Sequence, residues 1–280
     1  MERVKLTFWG VRGSMATPGS KTARVGGNSA CVEIRSGETL IICDAGTGIR
    51  ELGLSLCQQK SPLRLSILLS HLHLDHFIGL PFFKPLYMKN NQFLIGGPVR
   101  RGMTFRSDLI RVTSPPHFPL PLLESPAQLQ FRSLGTKSFF IDNVRVVPSQ
   151  LHHPGGALGW RFYFPNGKSL VHVSDNEPNG KTFTKKMIAW MKGADLLIHD
   201  AQYTPSEYRA KKQGWGHSPY TYPLELAAEA GVKKVFLFHH DPEHDDRTLQ
   251  KLLADARRYV KSKQWKVTCD LAREGKTIFL

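Results

Sequence analysis

The chain has 280 residues, with 38 basic and 23 acidic side chains and a formal net charge of +15; 41% of it is hydrophobic and 22% charged. That is ordinary for a globular protein, and the length allows a sizeable core without covalent staples. The four cysteines (Cys31, Cys43, Cys57, Cys269) are scattered with no CxxC pair, which excludes a disulfide framework and fits a reducing compartment. The N-terminus lacks the apolar stretch of a signal peptide, and no apolar run approaches a membrane span. The expectation is a soluble cytoplasmic protein with no membrane partner. The excess of positive charge is spread along the chain, so it reads equally as attraction to phosphates or as general solubility.

In chain order, Val4 to Trp9 alternates as a strand, and Ala30 to Ile34 is placed to pair with Leu40 to Cys43. A helix is predicted over Ile49 to Gln59, then a buried strand over Leu65 to Leu69. Residues 84–126 are rich in Pro, Gly and Arg and read as an irregular insertion near the site, a lid or a substrate wall. Strands follow at Val144 to Val147, Gly159 to Phe164, Ser169 to Val173, Asp195 to His199 and Val235 to Phe238. Helices are predicted over Thr182 to Met191, Ser206 to Gln213, Tyr220 to Ala230 and Asp245 to Lys261. Ser218 before Pro219 suits a helix N-cap, and Gly231 suits that helix's end. Early strands come in adjacent pairs and later ones alternate with helices. That order implies mixed sheets with helices outside them, in a single domain spanning 1–280.

The residues that carry chemistry sit at strand ends. His71-Leu72-His73-Leu74-Asp75-His76 directly follows the apolar run Leu65 to Leu69. Packing does not explain three imidazoles and a carboxylate in six residues. Such donors suit zinc, manganese or iron. His71 and His73 lie two apart on extended backbone, so their side chains point the same way. Asp75 and His76 follow after a turn and can face a second ion. Further ligand-type residues end other strands: His152 or His153, Asp175, and His239 or His240. Adjacent residues on a strand face opposite sides, so one of each histidine pair should reach the site.

The motif His71-x-His73-x-Asp75-His76, followed in order by His153, Asp175 and His239, resembles the metallo-β-lactamase superfamily. It is most similar to the ribonuclease Z-like and cyclic-nucleotide phosphodiesterase-like hydrolases. The resemblance runs from Gly10 to about Asp245 and includes Gly26-Gly27-Asn28-Ser29 and Asp44-Ala45-Gly46-Thr47-Gly48. It also includes Gly156-Ala157-Leu158-Gly159-Trp160-Arg161 and Gly216-His217-Ser218. His199-Asp200-Ala201 is similar to the family's His-Glu-Ala-Thr segment, with Asp200 one methylene shorter than the usual Glu. The resemblance implies an αββα sandwich with a dinuclear site at one edge. By it His71, His73 and His153 hold one metal and Asp75, His76 and His239 the other. Asp175 bridges the two, and His217, oriented by Asp200, is catalytic. The resemblance also implies a homodimer.

Two ions roughly 3.5–4 Å apart can share a bridging hydroxide and bind a phosphoryl oxygen, an arrangement that favours in-line attack on phosphorus. A leaving alkoxide needs a proton, which His217 can supply. The expected function is therefore a dinuclear, metal-dependent phosphodiesterase, with Zn²⁺ or Mn²⁺, acting on a small cyclic nucleotide or similar diester. The alternatives are a ribonuclease Z-like nuclease that cleaves RNA, a thioester or lactone hydrolase, and a metal-bound, non-catalytic nucleic-acid binder. His199, Trp160 and Arg161 are expected to be structural, with Asp44, Gly46 and Asn28 shaping loops beneath the metals.

Overall fold

The computed structural model describes residues 2–59, 62–99 and 102–280. Fourteen strands are arranged in two seven-stranded sheets among the described residues. The first sheet contains β1 (Lys5–Gly10), β2 (Cys31–Ser36), β3 (Thr39–Cys43), β4 (Arg64–Leu68), β5 (Gln92–Pro98) and β6 (Gln128–Leu134) in that order. The late strand β14 (Thr277–Phe279) lies on the outer side of β1. The second runs β13-β12-β11-β10-β9-β8-β7. Its strands are β7 (Phe139–Ile141), β8 (Val144–Leu151), β9 (Ala157–Tyr163), β10 (Ser169–Val173), β11 (Leu196–Asp200), β12 (Lys234–Phe238) and β13 (Thr268–Leu271). Both sheets are mixed. In the first, β3 to β6 run parallel. In the second, β10 to β13 do.

Alternation along each strand makes the layers. Ile41 and Cys43 of β3 face inward and join Leu6, Phe8, Trp160 and Phe162 in the core between the sheets. Leu40 and Ile42 face outward and pack with Ile67 and Ile95 against helix α1 (Ile49–Leu56) and helix α3 (Phe105–Val112). On the far side of the second sheet lie α4 (Gly180–Met191), α6 (Thr221–Ala230) and α7 (Asp246–Ser262), whose Met187, Leu224 and Leu252 are buried there. The architecture is thus helix, sheet, sheet, helix, as expected. Ala30 to Ile34 and Leu40 to Cys43 form the antiparallel pair read from the sequence. Gly231 ends α6 in the left-handed conformation, φ 66°.

Three readings need correction. Residues 84–126 are not irregular throughout. They hold β5, which is paired on both sides, and α3, which opens with a Thr104 capping box. Ser218 does not cap α6, which begins at Thr221; the Ser218 hydroxyl instead donates to the Asn176 carbonyl. The predicted helix at Ser206 to Gln213 is one turn, α5 (Pro205–Glu207), which continues as a π-helical turn over Tyr208–Lys212.

Candidate metal centre

Parallel strands all release their carboxyl ends on one side, where the chain must turn and polar side chains can face a shared cleft. β3 delivers Asp44 there, β4 the His71–His76 segment, β10 Asp175, β11 Asp200 and β12 His239. β8 ends at the same edge and brings in His153. The short helix α2 (Leu74–Phe77) turns Asp75 and His76 back under the edge.

Seven residues converge. The ligand atoms of His71, His73, His153 and Asp175 lie within 4.8 Å of one another, and so do those of Asp75, His76 and His239. In the first group, Asp175 Oδ2 is 3.6 Å from His71 Nε2 and 3.5 Å from His153 Nε2. In the second, His76 Nε2, His239 Nε2 and Asp75 Oδ2 are 3.1–3.3 Å apart. Asp175 Oδ1 lies 3.2 Å from both of those histidine nitrogens. Asp175 therefore offers one oxygen to each group. Donors about 2.0–2.2 Å from zinc stand roughly 3.3–3.6 Å apart at tetrahedral corners.

The proton pattern fits the same use. Four histidines turn Nδ1 backwards onto the protein and leave Nε2 facing the cluster. His153 Nδ1 donates to the Gly216 carbonyl at 2.9 Å, and His239 Nδ1 faces Gln202 Oε1 at 3.3 Å. His76 Nδ1 faces Asp44 Oδ2 at 3.1 Å, and His71 Nδ1 meets Ser70 Oγ at 3.0 Å. As a result, ring nitrogens confront each other: His153 Nε2 with His73 Nδ1 at 2.9 Å, and His239 Nε2 with His76 Nε2. Facing lone pairs repel unless a cation lies among them. His71 Nε2 is buried with no hydrogen-bond partner among the described residues. This donor set fits divalent ions.

Electrostatics agree. Burial alone would raise the Asp75 and Asp175 pKa values, but the surrounding imidazoles hold both carboxyls well below their ordinary range. Burial lowers the His71 pKa strongly, which keeps the ring neutral and its lone pair free. His217 stacks over His239, ring centroids 5.0 Å apart, and its Nδ1 lies 2.9 Å from Asp200 Oδ2. Burial lowers the His217 pKa, but Asp200, Asp175 and Asp75 together outweigh it and raise the value to about 9. The shorter carboxylate of Asp200 reaches the ring directly. Asp200 also accepts from the amides of Asn176 and Gln202.

The neighbouring histidines point elsewhere. His240 donates to or accepts no cluster atom; its Nε2 bonds the Ala272 carbonyl. The His152 ring faces the Glu177 carbonyl. His199 is buried with its Nδ1 against the Asp200 carbonyl, and Arg161 holds the Trp190 and Lys192 carbonyls, both structural as expected. Asp44, in the left-handed region at φ 60°, accepts the Ser70 amide beneath the cluster. Asn28 bridges Thr47 and Glu274 in the loop behind it.

Several supporting residues were not apparent from the sequence. The Ser14 amide donates to Asp75 Oδ2 at 2.7 Å, and Gln202 links His239 to Ser14. Gly13 is obligatory, since a Cβ there would lie 2.3 Å from the His239 ring. Glu177 ties down the loop before His217. The available signal was position: Ser14 follows β1 in a Gly-bracketed turn, and Glu177 lies two residues beyond Asp175. Beside His71 and His73 opens a cleft of about 750 Å³. Leu134, Thr136, Gln150 and Pro154 line it, with no lysine or arginine among the described lining residues.

Comparison with known proteins agrees with this fold. A family model described as "Beta-lactamase superfamily domain" matches residues 39–240. The ribonuclease Z of Thermoplasma acidophilum is 25% identical over 297 aligned positions, covering 91% of each chain. The metallo-beta-lactamase fold protein YhfI of Bacillus subtilis superposes with a TM-score of 0.73 at 15% identity, over the whole of both chains. A diphosphatase from the PhnP family superposes at 0.69 with 15% identity, covering 100% of this chain and 98% of that one. The matched span takes in all seven converging residues together with Asp200 and His217, and the chain belongs to the beta-lactamase superfamily of metal-dependent hydrolases.

Proposed function

We propose that the protein is a dinuclear phosphodiesterase that hydrolyses a small nucleotide diester, cyclic or linear. One observation carries this reading: the His217–Asp200 pair, at 2.9 Å, stands directly over a double ligand set that shares Asp175. In it, His71, His73 and His153 would hold one divalent ion and Asp75, His76 and His239 the second, with Asp175 available to both. Zn²⁺ is the first choice for this nitrogen and carboxylate set, with Mn²⁺ second. Bound ions would supply Lewis acidity and would lower the pKa of a water near them.

The protein's own side chains do the rest. Asp200 accepts from His217 Nδ1 and so stabilises the imidazolium. That directs the Nε2 proton to the leaving oxygen. Ions close to Asp175 would draw the His217 pKa down from about 9, towards the range where an acid works best. The cleft beside His71, about 750 Å³, has the size of a small-molecule site and supports a small diester. The second reading, RNA cleavage, is favoured by the name of the Thermoplasma relative, a ribonuclease Z, and by the +15 charge.

The deciding experiment measures hydrolysis of bis-p-nitrophenyl phosphate, a cyclic-nucleotide panel and a tRNA precursor with Zn²⁺ or Mn²⁺. Turnover of a small diester is expected; for diesters that expel an alkoxide it should fall on the order of 10²–10⁴-fold in His217→Ala with metal content kept, and far less for bis-p-nitrophenyl phosphate. Cleavage of the tRNA precursor alone would put the nuclease reading first. Metal binding with no turnover at all would defeat both.

Two further proposals accompany this reading. We place the chain in a reducing cytoplasm, because the four cysteines are free. No helix among the described residues is long and apolar enough to cross a membrane. We also propose a homodimer, through the apolar row Leu74, Ile78 and Phe82, which are 64%, 43% and 58% exposed. Light scattering should give twice the monomer mass, and Phe82→Glu should halve it; a monomeric wild type would end this proposal.

A further inference from the structure

Glu177 is a buried carboxylate that lies outside the cluster yet holds three segments that feed it. Its Oε1 accepts the Tyr208 hydroxyl at 2.8 Å and the Gly214 amide at 2.7 Å. Its Oε2 accepts the Gly216 amide at 2.9 Å. Its backbone amide donates to the His152 carbonyl. The loop it grips, 213–217, has no helix or strand of its own, and Gly214 and Gly216 both have φ above 80°. Isolated loops with such glycines sample many conformations.

The grip reaches chemical groups at both ends. Gly216 offers its carbonyl to His153 Nδ1, and a Cβ on Gly216 would lie 2.2 Å from that nitrogen. His217 follows at once, and Ser218 is anchored through its hydroxyl to Asn176. The run Asp175-Asn176-Glu177 therefore works as one unit. Asp175 faces the cluster, Asn176 donates its amide to Asp200, and Glu177 sets the loop that presents His217. A neutral side chain at 177 could not accept three hydrogen bonds with two charged oxygens. Charge-assisted bonds of this kind are about twice as strong as neutral ones.

We propose that Glu177 is a positioning residue, which fixes the 213–217 loop so that His217 meets the leaving oxygen. The idea rests on the role given to His217 under Proposed function. Two measurements on the full chain separate the two. The first needs no turnover. Hydrogen exchange at the Gly214 and Gly216 amides should be roughly tenfold faster or more in Glu177→Gln than in wild type, with or without metal. Tyr208→Phe removes one bond only and should shift exchange less; it also remains informative if Glu177→Gln folds poorly. Unchanged exchange at both glycines would overturn the proposal.

The second compares leaving groups at wild-type metal content. A diester that expels an alkoxide needs the proton from His217, whereas p-nitrophenolate leaves without it. kcat in Glu177→Gln should fall on the order of 10²-fold for the alkoxide substrate, and far less for bis-p-nitrophenyl phosphate. Equal losses on both, as a merely structural defect gives, would overturn the positioning role. If His217→Ala itself loses both substrates alike, the acid role fails, and exchange at Gly214 and Gly216 still decides whether Glu177 clamps the loop.

Discussion

His172 illustrates what one buried residue contributes. It lies wholly inside β10, with neither ring nitrogen hydrogen-bonded among the described residues. Burial outweighs the nearby carboxylates and lowers its pKa from 6.5 to about 4. The folded ring is neutral, while the unfolded chain takes up a proton below about pH 6.5. The stability it confers is fully present above about 6.5 and is lost as the pH falls towards about 4, on the order of 3 kcal/mol. Urea unfolding of metal-free protein should show this loss in wild type and a flatter profile in His172→Leu; identical profiles would remove His172 as the source. At this scale the sequence was uneven evidence. His71, His73, Asp75 and His76 were legible because four donors crowd into six residues at a strand end. His153 and His239 were legible only to within a neighbour, since strand-end geometry chooses between adjacent side chains and the chain alone does not show which way the strand faces. Gln202 and Ser14 were not legible at all. Their contacts to His239 and Asp75 join segments far apart in sequence.

Among elements, β5 departs most from the reading of the sequence. Its run Gln92–Pro98 ends in Gly96-Gly97-Pro98, which resembles a loop. The glycines answer a packing demand instead. A Cβ on Gly97 would lie 2.2 Å from the Phe105 ring of α3, so the helix can seat on the strand only because nothing projects there. Phe93 and Ile95 are buried, and β4 and β6 flank the strand in parallel. Ile95→Ala should therefore cost about 2–5 kcal/mol, read by denaturant unfolding. A loss below about 0.5 kcal/mol would restore the view of this stretch as an irregular insertion. The strands that carry candidate ligands were easier to read. β4, β10 and β12 are short apolar runs that stop abruptly at His or Asp. β13 and β14 are short and partly exposed, so their hydrophobic signal is weak.

For the molecule as a whole, the cluster is a point where folding and binding meet. Ring nitrogens that confront each other, such as His153 Nε2 and His73 Nδ1 at 2.9 Å, oppose the fold when no cation lies between them. Chelation should therefore lower Tm, and added Zn²⁺ should restore it in a concentration-dependent way. A Tm indifferent to chelator would mean that no ion is held there. Mixed sheets with helices outside them were legible from the order of paired strands followed by strand–helix alternation, whereas the two-sheet sandwich came from the family resemblance. What that order could not show is how the first sheet is closed at its outer side. β14 pairs with β1, and Thr7 and Thr277 share a hydroxyl contact across 270 positions of sequence. During synthesis, then, β1 waits with its outer hydrogen-bonding groups unmet until Thr277–Phe279 leave the ribosome. A nascent or truncated chain lacking Thr277–Phe279 presents an open strand edge, a template for pairing with other chains.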